Sequence, residues 1–125
     1  MEAMRPVRLT VPAEPSSVRL ARLVAAGVAA DAGLSIDDTE DLRIAVSELV
    51  ALLIEGPGGG DADITYRRTE GEVEVEGECR CALASDGPVD DLALEILRVV
   101  LDDHSFEVDG DVRRFRLLKR ARTIA

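Results

Sequence analysis

The sequence predicts a two-layer α+β sandwich: a mixed or antiparallel sheet covered on one face by about three helices. Three observations predict it. Apolar periodicity switches along the chain in the order β, α, α, β, β, α, β, β, with hairpins and helices grouped instead of strictly alternating. Two pairs of alternating segments are each joined by a short glycine-containing turn. The chain has 125 residues, of which 46% are hydrophobic and only 2% aromatic (Tyr66, Phe106 and Phe115). This is enough for one aliphatic core of Leu, Val, Ile and Ala, and residues 1–125 read as a single domain with no repeat and no dividing linker.

Taken in order, Val7 to Val11 alternates apolar and polar residues before Pro12 and Pro15, which marks a short strand entering a loop. Ser16 or Ser17 can cap a helix whose Val18, Leu20, Leu23, Val24 and Val28 recur at helical spacing until Gly33 stops it. Ser35 caps the next helix, and Asp37, Asp38, Glu40 and Asp41 lie where the positive helix end favours acids. Its apolar stripe, Leu42, Ala45, Val46, Leu49, Val50, Leu52 and Leu53, widens until the last turns are apolar nearly all round and should be buried.

The run from Gly56 to Gly60 breaks that helix. It lacks the Lys and Ser/Thr of a phosphate loop and follows a helix instead of a strand, so it reads as a connector. Ile64 to Arg68 and Glu72 to Cys81 alternate on either side of Thr69, Glu70 and Gly71, as a hairpin does. Beyond the turn cluster Ser85 to Pro88, Asp90 to Leu101 carries Leu92, Ile96, Val99 and Val100 at helical spacing. Ser105 to Val108 and Val112 to Lys119, joined by Asp109, Gly110 and Asp111, form a second hairpin.

Charge and composition exclude several functions. Fifteen basic against twenty-five acidic residues give a net charge of −10, which repels phosphate backbones and anionic lipid heads; neither nucleic acid nor membrane is expected as a partner. No apolar stretch reaches membrane length, and Met1 to Pro12 has charges and prolines where a signal peptide needs an apolar block, so a cytoplasmic location is expected. Cys79 and Cys81 share a strand face at a spacing too wide for a disulfide and read as buried thiols. With His104 the only histidine, the soft ligands of a zinc site are missing; His104, between helix and strand, reads as a surface residue.

Three stretches, Leu9 to Arg22, Asp41 to Val50 and Leu92 to Lys119, together resemble the anti-sigma-factor serine kinases of the GHKL ATPase superfamily, to which the histidine kinases also belong. The resemblance covers nearly the whole chain and implies a kinase-like fold, but its nucleotide motifs are degenerate. In the first motif a Glu serves as base and an Asn four residues later helps hold magnesium. Glu48 stands at the first position, whereas the second holds Leu52, which has no oxygen for a hard cation. Leu52, Leu53 and Ile54 should therefore fill the mouth of the pocket, leaving a small apolar cavity. Of the second motif, Asp-x-Gly-x-Gly, only Asp86 and Gly87 survive, without the spacing or the second glycine, and the glycine-rich lid is missing. The vestigial pocket is thus Glu48, Leu52, Asp86 and Gly87, with no cofactor, no metal and no catalytic residue beyond a vestigial Glu48. Without the family chemistry, Glu48 reads as a helix carboxylate, partly solvated or paired with an arginine.

The resemblance also implies a partner face. Arg22, flanked by Arg19, matches the first-helix arginine with which the family grips a sigma factor or an anti-anti-sigma protein. The cluster Arg113, Arg114, Arg116, Lys119, Arg120 and Arg122 either docks an acidic partner or is a solvated strand face pairing with acids of the first hairpin. Three functional readings follow: a non-catalytic regulator that sequesters a partner, a divergent ATP-dependent serine/threonine kinase using Glu48 as base, or a homodimerising module.

Overall fold

In the computed structural model of the protein, residues 4–55, 59–80 and 91–122 are described. The elements are β1 (Val7–Pro12), α1 (Ser17–Asp31), α2 (Ile36–Ile54), β2 (Asp61–Thr69), β3 (Glu72–Arg80), α3 (Asp91–Val100), β4 (Asp103–Asp109) and β5 (Val112–Arg120). The strands form one antiparallel sheet in the order β1-β2-β3-β5-β4, and the helices cover one of its faces. The predicted fold class and element order hold. Strand alternation is the cause: Ala62, Ile64 and Tyr66 on β2, Val73, Val75 and Cys79 on β3, and Phe115 and Leu117 on β5 all point inward and are buried. Cys81, the other cysteine of the predicted pair, lies outside the described residues.

The helices present Ala21, Ala25, Val28 and Ala29 from α1, Leu42, Ala45, Val46, Leu49, Val50 and Leu53 from α2, and Leu97 from α3 to this core. Small residues on α1 let α2 approach it closely. Buried Tyr66 ties the two layers together by donating from its hydroxyl to the Ala21 carbonyl at 2.8 Å, and burial pushes its phenol well above the ordinary range.

Helix boundaries follow sequence chemistry with one exception. Ser35 caps α2 as predicted, its Oγ accepting from the Asp38 N–H at 3.1 Å. At the end of α1, Leu34 N donates to Ala29 O at 3.0 Å and Gly33 N to Ala30 O at 3.1 Å, with Gly33 at φ +73° as this cap requires. Ser16, by contrast, makes no capping bond: the Glu14 and Pro15 carbonyls already accept from Ser17 N and Val18 N, while Ser17 is buried.

The second reading of the basic cluster, pairing with acids of the first hairpin, holds for Arg114, Arg116 and Arg120, but Arg113 and Lys119 depart from both readings. Arg113 and Lys119 are each only 3% exposed because the β5 register puts them on the helix-facing side with Phe115 and Leu117. Arg113 Nη1 donates to the Leu52 carbonyl at 3.1 Å and to the Glu55 carbonyl, closing the C-terminal end of α2. Lys119 Nζ donates to the Val100 carbonyl at 2.9 Å at the end of α3 and faces Asp38 and Asp41 at the start of α2. Cations thus satisfy the helix carbonyls that have no partner within the helix. The remaining members pair within the fold: Arg114 with Glu78, Arg116 with Glu74 and Asp103, Arg120 with Glu72, and Arg122 with Asp38 and Asp41. These charges are used internally and do not form a free docking patch.

β4 begins earlier than predicted, at Asp103. His104 accordingly lies on a strand, opposite Leu117 and half-buried, and not in a turn.

Candidate functional site

The turn from Ala13 to Val18, the C-terminal half of α2 and Ala93 of α3 enclose an open groove of about 540 Å³. The turn is held by Ala13 N, which donates to the Gly60 carbonyl at 3.0 Å. Helical spacing places Glu48 and Leu52 on the groove side of α2, with Ala51 beside them, while Leu49, Val50 and Leu53 turn into the core; Glu55, the extended residue that follows the helix, completes the wall. The last turns of α2 are therefore buried on one side only. Leu52 is half-buried, lining the groove without filling it, so the cavity is larger than the plugged pocket predicted from the run Leu52 to Ile54. Leu53 and Ile54 are buried as expected.

The described lining is apolar apart from three carboxylates, Glu14, Glu48 and Glu55, and no described lysine or arginine reaches it. Glu48 is half-buried and forms no ion pair or hydrogen bond among the described residues, so of the two alternatives for it, partial solvation or an arginine partner, the structure shows the first. Asp86 and Gly87, the other members of the predicted pocket, lie outside the described residues, as does the segment in which a lid was sought.

In the described lining Leu52 has no oxygen to offer a hard cation, and the three carboxylates have no lysine or arginine among them. Among the described residues no group of three or more His, Cys, Asp or Glu converges as a metal site would require, and no helix is long and apolar enough to cross a membrane.

A second, smaller cleft of about 220 Å³ opens on the other side of Glu48, between α1 and α2, lined by Arg22, Glu40, Arg43, Ile44, Ser47 and Glu48. Arg22 is half-buried, and its Nε is enclosed with no hydrogen-bond partner among the described residues. Arg43 Nε is enclosed in the same way, although its Nη1 bonds Glu40 Oε1 at 2.7 Å. Arg19 is exposed one helical turn from Arg22 and enters no ion pair among the described residues. Leu23 and Ile44, 57% and 42% exposed, add apolar surface to the same pair of helices. The structure thus puts Arg22 and Glu48 along one cleft and leaves Arg19 at its margin. Sequence reasoning missed Arg43, whose spacing from Glu40 and Ser47 on α2 is the signal that could have found it, and missed Glu14 and Glu55, which only the folded turn brings to the groove.

Comparison with known proteins gives three findings. A family model described as the histidine kinase-like ATPase domain matches residues 11–110. The serine-protein kinase RsbW of Bacillus velezensis is 50% identical over 73 residues, and that of Listeria innocua 37% identical over 73 residues; each match covers 55% of this chain and 46% of the relative. The chain spans about half the length of the curated relatives it matches. A crystal structure of the RsbU and RsbW domains of a Mycobacterium tuberculosis protein superposes with a TM-score of 0.73 at 17% identity, covering 98% of this chain and 35% of that one, a likeness of fold.

Proposed function

The chain belongs to the histidine kinase-like ATPase domain family, and from that premise we propose that it is a protein-binding regulator that works by sequestering its partner without phosphorylating it. The carrying observation is Leu52, half-buried on the groove wall one helical turn beyond Glu48, where the resemblance calls for a magnesium-holding Asn. With no metal ligand there and three carboxylates around it, the groove offers a triphosphate neither a cation nor a donor-rich wall.

Partner binding is assigned to the α1–α2 surface. Arg22 lines the cleft and, like exposed Arg19, enters no ion pair among the described residues, so an incoming carboxylate would meet cations that the fold leaves unpaired. Exposed Leu23 and Ile44 supply apolar area beside the charges. On an acidic protein this patch of opposite sign selects an acidic surface. Similarity to RsbW makes a sigma factor or an anti-anti-sigma protein the class of partner to try first.

The test is binding of candidate sigma and anti-anti-sigma proteins to the wild-type chain, Arg22→Glu and, as a surface control, Arg8→Glu. Retention by wild type and Arg8→Glu with loss by Arg22→Glu at unchanged melting temperature is the expected result. Equal retention by all three would remove the assignment of the interface.

A second reading, a divergent kinase, draws on one observation: Glu48 is half-buried beside the groove with no ion pair to occupy it, as a general base would be. Transfer of labelled phosphate from ATP to a bound partner, abolished by Glu48→Gln, would establish that reading in place of the first.

A further inference from the structure

Over β3, β5 and β4 the solvent face of the sheet carries its charge in stripes whose sign alternates from strand to strand. β3 contributes Glu72, Glu74, Glu76 and Glu78; β5 beside it contributes Arg114, Arg116 and Arg120; β4 at the edge contributes Asp103, Glu107 and Asp109. Adjacent stripes neutralise one another, with Arg116 reaching Glu74 at 3.0 Å, Arg120 reaching Glu72 at 3.3 Å and Arg114 reaching Glu78 at 3.6 Å. On the β4 side only Asp103 is drawn into the series, by Arg116 at 3.4 Å. Glu107 stands opposite Arg114 in the register, but Arg114 is turned to Glu78, and among the described residues neither Glu107 nor Asp109 has an ion pair. The series therefore ends on an acidic strand with no described strand on its outer side.

That outer side is a backbone edge. Among the described residues β4 is hydrogen-bonded to β5 alone, and its register runs unbroken from Asp103 to Asp109. It holds no proline, lysine, arginine or bulge, the usual devices against strand addition. On the helix-facing side Phe106 is half-buried and Val108 is 49% exposed. Among the described residues what protects this edge is negative charge, and negative charge is selective. A second copy, itself carrying −10, would set Asp103 against Asp109 in an antiparallel pairing centred on Phe106, like charges facing across the ladder.

The geometry points to the β4 edge as a site of strand addition for a partner segment that alternates basic and apolar side chains. Its backbone continues the sheet, its lysines or arginines face Glu107 and Asp109 as the next stripe in the series, and its apolar residues extend over Phe106 and Val108. The site is at the far edge of the sheet from β1 and does not involve Arg22 or the groove.

The test measures fluorescence anisotropy of a short, capped, labelled peptide of alternating lysine and valine titrated with the full chain at low salt. Saturable binding is expected, weakened about tenfold by Glu107→Lys and unchanged by Glu70→Lys, which makes the same charge change at the β2–β3 turn. The same peptide N-methylated at alternate residues keeps its charge but cannot pair along the strand, and should not bind. Absence of binding by the unmodified peptide, equal binding of the N-methylated one, or equal loss in both variants would overturn the proposal. So would sedimentation of the free chain as a dimer that Glu107→Lys dissociates, since a second copy would then occupy the edge.

Discussion

Phe115 lies across Gly77, its partner in the β3–β5 register: a Cβ built on Gly77 would stand 2.2 Å from Phe115 Cε2. The missing side chain makes room for one of the chain's two phenylalanines, which covers the bare strand backbone from the core side. Gly77→Ala should overpack this contact and cost about 1–3 kcal/mol. Urea unfolding should show a lower midpoint at an unchanged slope. Wild-type stability in this variant would mean that the ring moves aside freely.

Arg113 is a helix cap. Replacing it with methionine keeps the buried volume but removes the donor shared by the Leu52 and Glu55 carbonyls. The expected loss is about 1–3 kcal/mol. In native-state hydrogen exchange it should concentrate in the last turn of α2. Unaltered protection there would show that the carbonyls find other donors.

Asp38 supplies the pH dependence. Its burial opposes ionisation, but the Arg122 N–H, the Ser35 hydroxyl, Lys119 and Arg122 outweigh burial and hold the carboxyl below its usual 3.8. A folded-state value below the unfolded one contributes stability that is fully present above 3.8 and is lost as pH falls through the folded value. Asp38→Asn should therefore be less stable than wild type at neutral pH and lose less on acidification. Parallel acid-unfolding curves for the two proteins would contradict this.

Leu52→Asn tests the groove wall. Because Leu52 is half-buried and faces open space, the new amide stays in reach of water, and the cost should be under about 1 kcal/mol, less than a fully buried site would exact. Restoring the Asn should not create ATP binding, since Glu14, Glu48 and Glu55 remain. A thermal shift that grows with nucleotide concentration in this variant would show that Leu52 alone had blocked the site.

What the sequence disclosed and what it hid divide along one physical line. Period and turn chemistry are local, so the Ser35 cap, the Gly33 stop and both hairpins were legible. The inward turn of Arg113 and Lys119 was not. A basic residue on an alternating strand reads as solvated, and only the β3–β5 register, which also faces Gly77 to Phe115, reveals that these cations meet the ends of α2 and α3. The same distinction governs the site. Glu48 and Leu52 could be paired by helical spacing, whereas Glu14 and Glu55 reach the groove through a tertiary contact, the Ala13–Gly60 hydrogen bond, that no local pattern encodes. Arg43 stands three residues from Glu40, a spacing that reads as an ordinary helix ion pair, and the structure forms that pair.

The proposal of a regulator without nucleotide chemistry is tested most directly by calorimetric titration of the full chain with millimolar ATP and magnesium. Leu52 in place of a metal ligand and carboxylates on the groove wall predict only heats of dilution, with or without a bound partner. A saturable heat that Glu48→Gln or removal of magnesium abolishes would contradict it.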